Sequence, residues 1–339
     1  MKIYQVGGSI RDELLGIKAL DRDFVVVGSN EKEMLKRGFY KVGSNFPVFI
    51  SYATDEEYAL ARREKKSGNG YLGFETTTEN VTLEEDLKRR DLTINSIAKD
   101  SDGKIIDPFG GAEDIKNRVL RHTSLAFRED AVRVLRLARF KTRFPDFKIA
   151  DETIKLVKKM VADGELKELK NDRVFLELRK SLKLKNSILF FQTLKELNAY
   201  DDLFSFIDLD SIDIQKLELM PDVESKFAFI LKDVENPKDF MTISKNTVAL
   251  SKYIREHLYR VENFFSITPE ERLKLFNATR NYHQLERLKD FHSDMSKIIK
   301  IYNRYKSVSK ELKNNKSMSG EEIKQFLKNR RVKLLSEDI

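Results

Sequence analysis

The stretch Val6-Gly7-Gly8-Ser9-Ile10-Arg11-Asp12, followed by Leu20-Asp21-Arg22-Asp23-Phe24-Val25-Val26-Val27, decides the reading of the amino-terminal third. A short strand runs into Gly7-Gly8 and then into a predicted helix, Ile10–Leu15. Glycine carries no Cβ, so the backbone at this turn can approach a ligand closely. A helix start offers free N–H groups to an anion, and Arg11 in the first turn adds a guanidinium suited to phosphate oxygens. Asp21 and Asp23 then enter an apolar β-run, and residues two apart in a strand share a face. Two carboxylates on one face repel unless a cation lies between them. Hard oxygen ligands beside phosphates suit Mg²⁺, in a site able to run a two-metal displacement. Plainer alternatives explain each piece alone: a tight strand-to-helix turn without ligand, and a solvated loop ahead of a strand. Both features fall within sixteen residues, Gly8 to Asp23, and together they point to nucleotidyl transfer.

Working outward, 12 of the 14 glycines lie in residues 1–123. Glycine punctuation with short β-rich runs predicts strands at Phe24–Val27, Pro47–Ile50 and Tyr58–Ala61, and at Ile105-Ile106 before a turn at Asp107-Pro108. A second short helix is predicted over Glu31–Arg37. From about Leu125 the period changes to helical, with Val132, Leu135, Phe140, Ile154, Val157 and Met160 recurring among Lys, Arg and Glu. Prolines at 145, 221, 237 and 269 mark plausible breaks. The fold class is therefore an α/β head followed by an all-α remainder. Among 339 residues, 63 Lys and Arg face 55 Asp and Glu, giving a net charge of +8 that favours phosphate-bearing partners. Residues 301–339 hold ten basic and five acidic side chains, read either as a solvated helical tail or as a nucleic-acid surface. With no cysteine and four histidines, thiol nucleophiles, disulfides and thiolate metal sites are excluded. No signal peptide or membrane span is legible, so a soluble, cytoplasmic protein is expected.

The run Val6–Asp12 with Leu14-Leu15-Gly16 and Asp21-Arg22-Asp23 resembles the signature of class II tRNA nucleotidyltransferases. These are the CCA-adding enzymes, with bacterial poly(A) polymerases as relatives. Arg89-Arg90-Asp91-Leu92-Thr93-Ile94-Asn95-Ser96 is similar to the family's second motif. Phe127-Arg128-Glu129-Asp130-Ala131-Val132-Arg133-Val134-Leu135-Arg136 resembles its base-selecting motif, and Arg173-Val174-Phe175-Leu176-Glu177-Leu178 its closing one. The motifs occur in family order over about residues 1–180, and the likeness is nearest to the gamma-proteobacterial type. It fades beyond residue 190 and returns weakly near Ser319–Leu335.

The resemblance implies a polymerase-β-like nucleotidyltransferase head (1–123), a helical neck with the base-selecting helix (124–190), a helical body (191–270) and a basic, tRNA-binding tail (271–339). It implies that Asp21 and Asp23 hold Mg²⁺. Glu57 matches a third carboxylate that completes the metal site or helps deprotonate a 3′-hydroxyl, and is otherwise a surface glutamate at a strand start. Gly8 and Arg11 would meet the triphosphate. Arg90 would lie by the nucleotide and Asp91 near the ribose, unless the two are structural ion-pair partners. The expected partners are CTP, ATP and the acceptor arm and 3′ end of tRNA.

The base-selecting motif also has its own chemistry. Asp130 and Arg133, three apart, read as neighbours on one helix face, continued by Arg136 and Arg139. Cytosine and adenine each present an amino donor beside a ring-nitrogen acceptor. A carboxylate and a guanidinium match that pair, while uracil and guanine reverse both contacts. The alternative is an amphipathic helix with a basic outer stripe. Arg62–Tyr71 reads as a basic loop loosened by Gly68 and Gly70, or as a surface hairpin. In the family a loop here is linked to adding the final A, which favours full CCA addition over CC-only, A-only or poly(A) activity. A catalytically inactive RNA-binding relative is a further alternative. Phe227–Asp233 corresponds to the His-Asp region of relatives that carry a phosphohydrolase domain. Here Lys232 precedes Asp233, so no phosphohydrolase activity is expected.

Overall fold

The computed structural model describes residues 1–19, 21–43, 48–66, 74–314 and 318–337. The chain forms two compact units, one of residues 1–181 with 188–204, the other of residues 182–187 with 205–339.

The first unit is built on a seven-stranded mixed sheet. Its strands are β1 (Lys2–Val6), β2 (Asp23–Val27), β3 (Phe39–Val42), β4 (Val48–Ser51), β5 (Glu57–Leu60), β8 (Ala98–Lys99) and β9 (Ile105–Ile106), in the order β3-β4-β5-β2-β1-β8-β9. Between them β6 (Arg63–Lys66) and β7 (Phe74–Thr77) pair as a separate antiparallel ribbon. β2 pairs antiparallel with β1 but parallel with β5, in a register that sets Asp23 opposite Glu57 and Phe24 opposite Tyr58. Successive side chains of a strand alternate faces, so the apolar run of β2 feeds two cores. Val25 joins Val6, Ala61, Leu87 and Ala98 on one face, and Val26 joins Met34, Phe49 and Leu60 on the other. Burying each of the larger side chains contributes about 1.5–3 kcal/mol.

Short helices lie between the strands: α1 (Gly8–Leu14), α2 (Glu31–Lys36), α3 (Leu83–Lys88) and α4 (Gly111–Lys116). α3 starts on a capping box, with Thr82 Oγ1 accepting from the Glu85 N–H and the Glu85 carboxylate accepting from the Thr82 N–H. Asp107 accepts from the N–H groups of both Gly111 and Ala112 at 2.8 Å, satisfying two donors at the start of α4. The unit continues through α5 (Val132–Arg143), α6 (Asp151–Ala162), α7 (Asn171–Leu182), α8 (Ile188–Glu196) and α9 (Tyr200–Phe204). α5 is buried along most of its length and includes Val134, Leu135, Leu137 and Ala138 at 0% exposure.

The second unit is helical: α10 (Ile214–Glu218), α11 (Val223–Ile230), α12 (Lys245–Glu262), α13 (Pro269–Ala278), α14 (Tyr282–Glu286), α15 (Met295–Ser307) and α16 (Gly320–Glu337). Its buried Arg272 donates to the carbonyls of Phe264, Phe265 and Leu335, giving acceptors left over at helix ends a charged partner. Among the described residues no helix is long and apolar enough to cross a membrane.

An α/β head and a helical remainder are both found. The predicted strands at 47–50 and 58–61 lie one residue off, that at 24–27 starts one residue earlier, and 105–106 stands as expected. The strand at 39–42 is additional, although Phe39, Tyr40 and Val42 are good strand formers, and so are the two-residue strands at 98–99, 119–120 and 148–149, each too short for a period to show. Of the basic loop Arg62–Tyr71, residues 63–66 pair as a strand with 74–77, just beyond it, while residues 67–71, with Gly68 and Gly70, lie outside the described residues.

Candidate functional site

A cavity of about 700 Å³ opens in the first unit, within the size range of small-molecule sites. Its walls come from the β1–α1 turn, β2, β5, the segment 89–95, and helices α5 and α7.

The turn comes first. Gly7 sits at φ +74°, where a Cβ would stand 3.0 Å from Arg90 Nη1, so both the backbone and the packing call for glycine. Its carbonyl accepts from the N–H groups of Ile10 and Arg11 and starts α1. Arg11 is 3% exposed and its guanidinium is already engaged. Nε and Nη2 donate to Asp12 Oδ1, and Nη1 donates to Asn95 Oδ1 at 2.5 Å. The rings of Phe140 and Phe144 flank it at 5.3 and 5.4 Å. Burial holds its pKa below the usual arginine value, opposed by Asp12. Sequence reasoning left this guanidinium open to phosphate. Here it is prearranged beside Gly8 instead.

Asp23 and Glu57 begin adjacent parallel strands in register and line the same wall. Burial raises the Asp23 pKa, Arg90 opposes that, and the charge of Asp21 raises it further. Asp21, Asp23 and Glu57 are all exposed, and of the three only Asp21 does not line the cavity. Like charges crowding a partly desolvated carboxylate are a situation that a cation relieves, so the residues present fit a hard metal ion. Among the described residues no three Asp, Glu or His side chains gather as a metal-binding group by themselves.

Arg90 and Asp91 are not partners of one another. Arg90 donates to Asp86 Oδ2 at 3.1 Å, and Arg89 to Asp86 Oδ1 at 2.5 Å. Burial works against the Asp86 charge, but the two arginines outweigh it and its pKa falls. Asp91 is 5% exposed and accepts from the Leu92 N–H, Asn95 Nδ2 and Arg136 Nε. These hold its carboxyl far below the usual range despite burial.

Asp130 stands in extended backbone just before α5 rather than on it. It accepts from the Val132 N–H at 3.1 Å, while Arg173 of α7 clamps both its oxygens at 2.9 and 2.8 Å. Arg133 donates to the Ala126 carbonyl at 2.6 Å. Arg136 donates to Asp91, and Arg139 to Glu177 at 2.6 Å. The basic stripe of α5 thus faces acids in other elements rather than solvent. Asp12, Asp86, Asn95, Arg173 and Glu177 belong to this site and were not singled out from the sequence. All but Asp86 stand inside the quoted motifs, so the signal was their position there, without a partner to give them a role.

Residues 3–121 match the family model of the poly(A) polymerase head domain, and residues 146–210 match that of the probable RNA- and SrmB-binding site of polymerase A. A CCA-adding enzyme of Francisella tularensis subsp. novicida is 55% identical over 207 residues, covering 60% of this chain and 56% of the relative. One from Francisella tularensis subsp. tularensis is 46% identical over 284 residues, covering 82% of this chain and 74% of the relative. This chain thus spans about half to three quarters of the length of these two relatives. The solved apo form II of a CCA-adding enzyme superposes with a TM-score of 0.76 at 24% identity, over 98% of this chain and 88% of that one, a likeness of fold.

Proposed function

The chain belongs to the CCA-adding enzyme family, and from that premise we propose that it adds C, C and A in order to the 3′ end of tRNA. CTP and ATP are the donors, and pyrophosphate is released. The observation that carries this reading is the meeting, in one cavity, of a glycine turn, the Asp23–Glu57 carboxylates, Arg90 with Asp91, and Asp130 with Arg133.

The terminal 3′-hydroxyl of the RNA attacks the α-phosphate of the bound nucleotide. A new oxygen–phosphorus bond forms, the bond to the bridging oxygen of pyrophosphate breaks, and Glu57, on the same wall, is the acceptor of the hydroxyl proton. Asp21 and Asp23 would hold Mg²⁺, which would supply positive charge beside the reacting oxygens. The start of α1 at Gly8 and the fixed guanidinium of Arg11 receive the triphosphate, the Gly7 N–H being already given to the Ile97 carbonyl. Asp91, held ionised, faces the ribose. Asp130, held in one orientation by Arg173, accepts from the amino group of cytosine or adenine, and Arg133 donates to the ring nitrogen. UTP and GTP would turn a carbonyl toward the Asp130 carboxylate and a ring N–H toward the Arg133 guanidinium, so acceptor would meet acceptor and donor would meet donor. The protein contributes positioning and fixed charge. The basic tail, 271–339, is assigned to the acceptor arm of tRNA, and a cytoplasmic location belongs to the same reading.

The test is incorporation into a tRNA transcript lacking its 3′ CCA, with CTP and ATP given separately and together. Two C residues from CTP, then a single A once ATP is present, support full CCA addition. Continued A addition points to a poly(A) polymerase, and addition stopping at CC or requiring preformed CC points to the partial activities. Binding without incorporation points to an inactive relative.

A further inference from the structure

The hydrogen bonds around Arg11 and Asp91 close on themselves. From the last turn of α5, Arg143 Nη2 donates to Asp12 Oδ2 at 2.9 Å. The other oxygen of Asp12 accepts from Arg11, Arg11 donates to Asn95 Oδ1, and Asn95 Nδ2 donates to Asp91 Oδ1 at 3.0 Å. The second Asp91 oxygen accepts from Arg136 Nε at 2.7 Å, which returns the path to α5. Arg136 and Arg143 are seven residues apart, two turns on one face of α5, so one side of this circuit is a rigid helix. Phe140 and Phe144, from the same face, fill its interior against the Arg11 guanidinium.

Asn95 is the only neutral member. It lies between a cation that must donate and an anion that must accept, and a primary amide presents an acceptor to the first and a donor to the second from two separate atoms. It is 7% exposed, so neither bond is exchanged cheaply for water. We propose that Asn95 is a positioning residue that couples the phosphate-binding turn to the base-reading helix, so that nucleotide selection depends on its two hydrogen bonds within the chain. The inference rests on the function proposed above. Arg11 belongs to the phosphate end, while Asp130 and Arg133 belong to the start of α5. With the circuit intact, the two ends keep one separation. With it broken, α5 moves relative to α1 and the base edge is no longer met in register.

The test is calorimetric binding of CTP, UTP and inorganic triphosphate to the full chain, alongside thermal melting. The variants are Asn95→Leu, similar in size and unable to make either bond, and Arg143→Met, which opens the circuit from its far end and leaves Arg11 its bonds to Asp12 and Asn95. In both variants the preference for CTP over UTP is expected to fall by about tenfold or more, as befits a hydrogen bond to a charged group. Inorganic triphosphate, which carries no base, reads any loss of phosphate affinity by itself, and the ratio of CTP to UTP affinity is expected to fall whatever that loss is. If Asn95→Leu does not fold, Arg143→Met decides. Unchanged CTP preference in folded variants that merely melt earlier overturns the coupling and leaves the proposed function standing. A wild-type protein without preference for CTP over UTP overturns the proposed base reading itself, and the coupling with it.

Discussion

A Cβ at Gly111 would meet backbone atoms head-on, and replacing this glycine with alanine tests how far the geometry of the site depends on a residue outside it. It is the first residue of α4 and packs against the turn Thr93–Asn95. A Cβ there would stand 2.1 Å from the Thr93 carbonyl oxygen, 2.7 Å from its carbon and 2.9 Å from Ile97 Cγ1. Real Cβ atoms do not approach closer than 3.0 Å, so the helix and the turn must separate by about 1 Å. Two of these neighbours are backbone atoms and cannot rotate away. Overpacking of this kind costs about 1–3 kcal/mol. For a unit of roughly 200 residues that lowers the melting temperature by about 2–12 °C. The turn carries Asn95 and follows Asp91, so a displacement of about 1 Å reaches the site, where misplacement of that size costs about 100-fold in rate. The assay is scanning calorimetry together with single-turnover cytidine incorporation. Gly320→Ala at the start of α16, where a Cβ meets nothing within 4 Å, is the control and is expected to leave both readings unchanged. A Gly111→Ala protein with wild-type melting and wild-type incorporation would show that the 93–95 turn has room to spare, and the reasoning fails.

Three further outcomes are expected. Asp23→Asn should lower incorporation by roughly 10³-fold while leaving RNA affinity in a gel-shift assay unchanged, since it removes charge at the reacting centre alone. Arg136→Met should cost about 2–4 kcal/mol in urea unfolding, less than a fully buried pair because Arg136 is itself 35% exposed. Its pH dependence follows from Asp91, whose folded pKa is depressed below the unfolded value. That stabilisation is fully present above about pH 4 and is lost as pH falls through the folded value, so the wild-type protein gains stability as pH rises there and the variant loses that gain. Finally, incubation with 2′,3′-cyclic nucleotides and Ni²⁺ should give no turnover, because Lys232 and Asp233 form an ion pair where the corresponding metal motif would need a histidine.

What the sequence made legible was local. The apolar run Phe24–Val27 announces a strand by β-branched content, and Gly7-Gly8 announces a turn because few other residues accept φ +74°. What it hid was pairing. Asp23 and Glu57 are 34 positions apart, and nothing between them reveals that β2 and β5 run parallel in a register that makes them neighbours. The arginines of α5 show the same limit. Their spacing fits a solvated stripe as well as a cavity wall, and the choice depends on acids at 91 and 177 contributed by other elements. Asp130 was misjudged as helical because the three-residue spacing to Arg133 ignores the extended turn at 130. That turn lets Asp130 face Arg173 across 43 positions of sequence.

The acid partners of the cavity's arginines have a consequence for how the protein meets a salty cell. Among the described residues nine arginines line the cavity, and at least seven of them are already bonded to a carboxylate of the chain. A basic cleft without such partners fills with small anions that an arriving ligand must expel, and its affinity falls steeply with ionic strength. This cavity brings its own counter-ions in fixed places. An arriving triphosphate trades one arrangement of internal charge for another instead of stripping loose chloride from the walls. Nucleotide binding should therefore respond weakly to salt. RNA held by an open basic surface should respond strongly, so on the function proposed above nucleotide and RNA binding would be set apart by ionic strength.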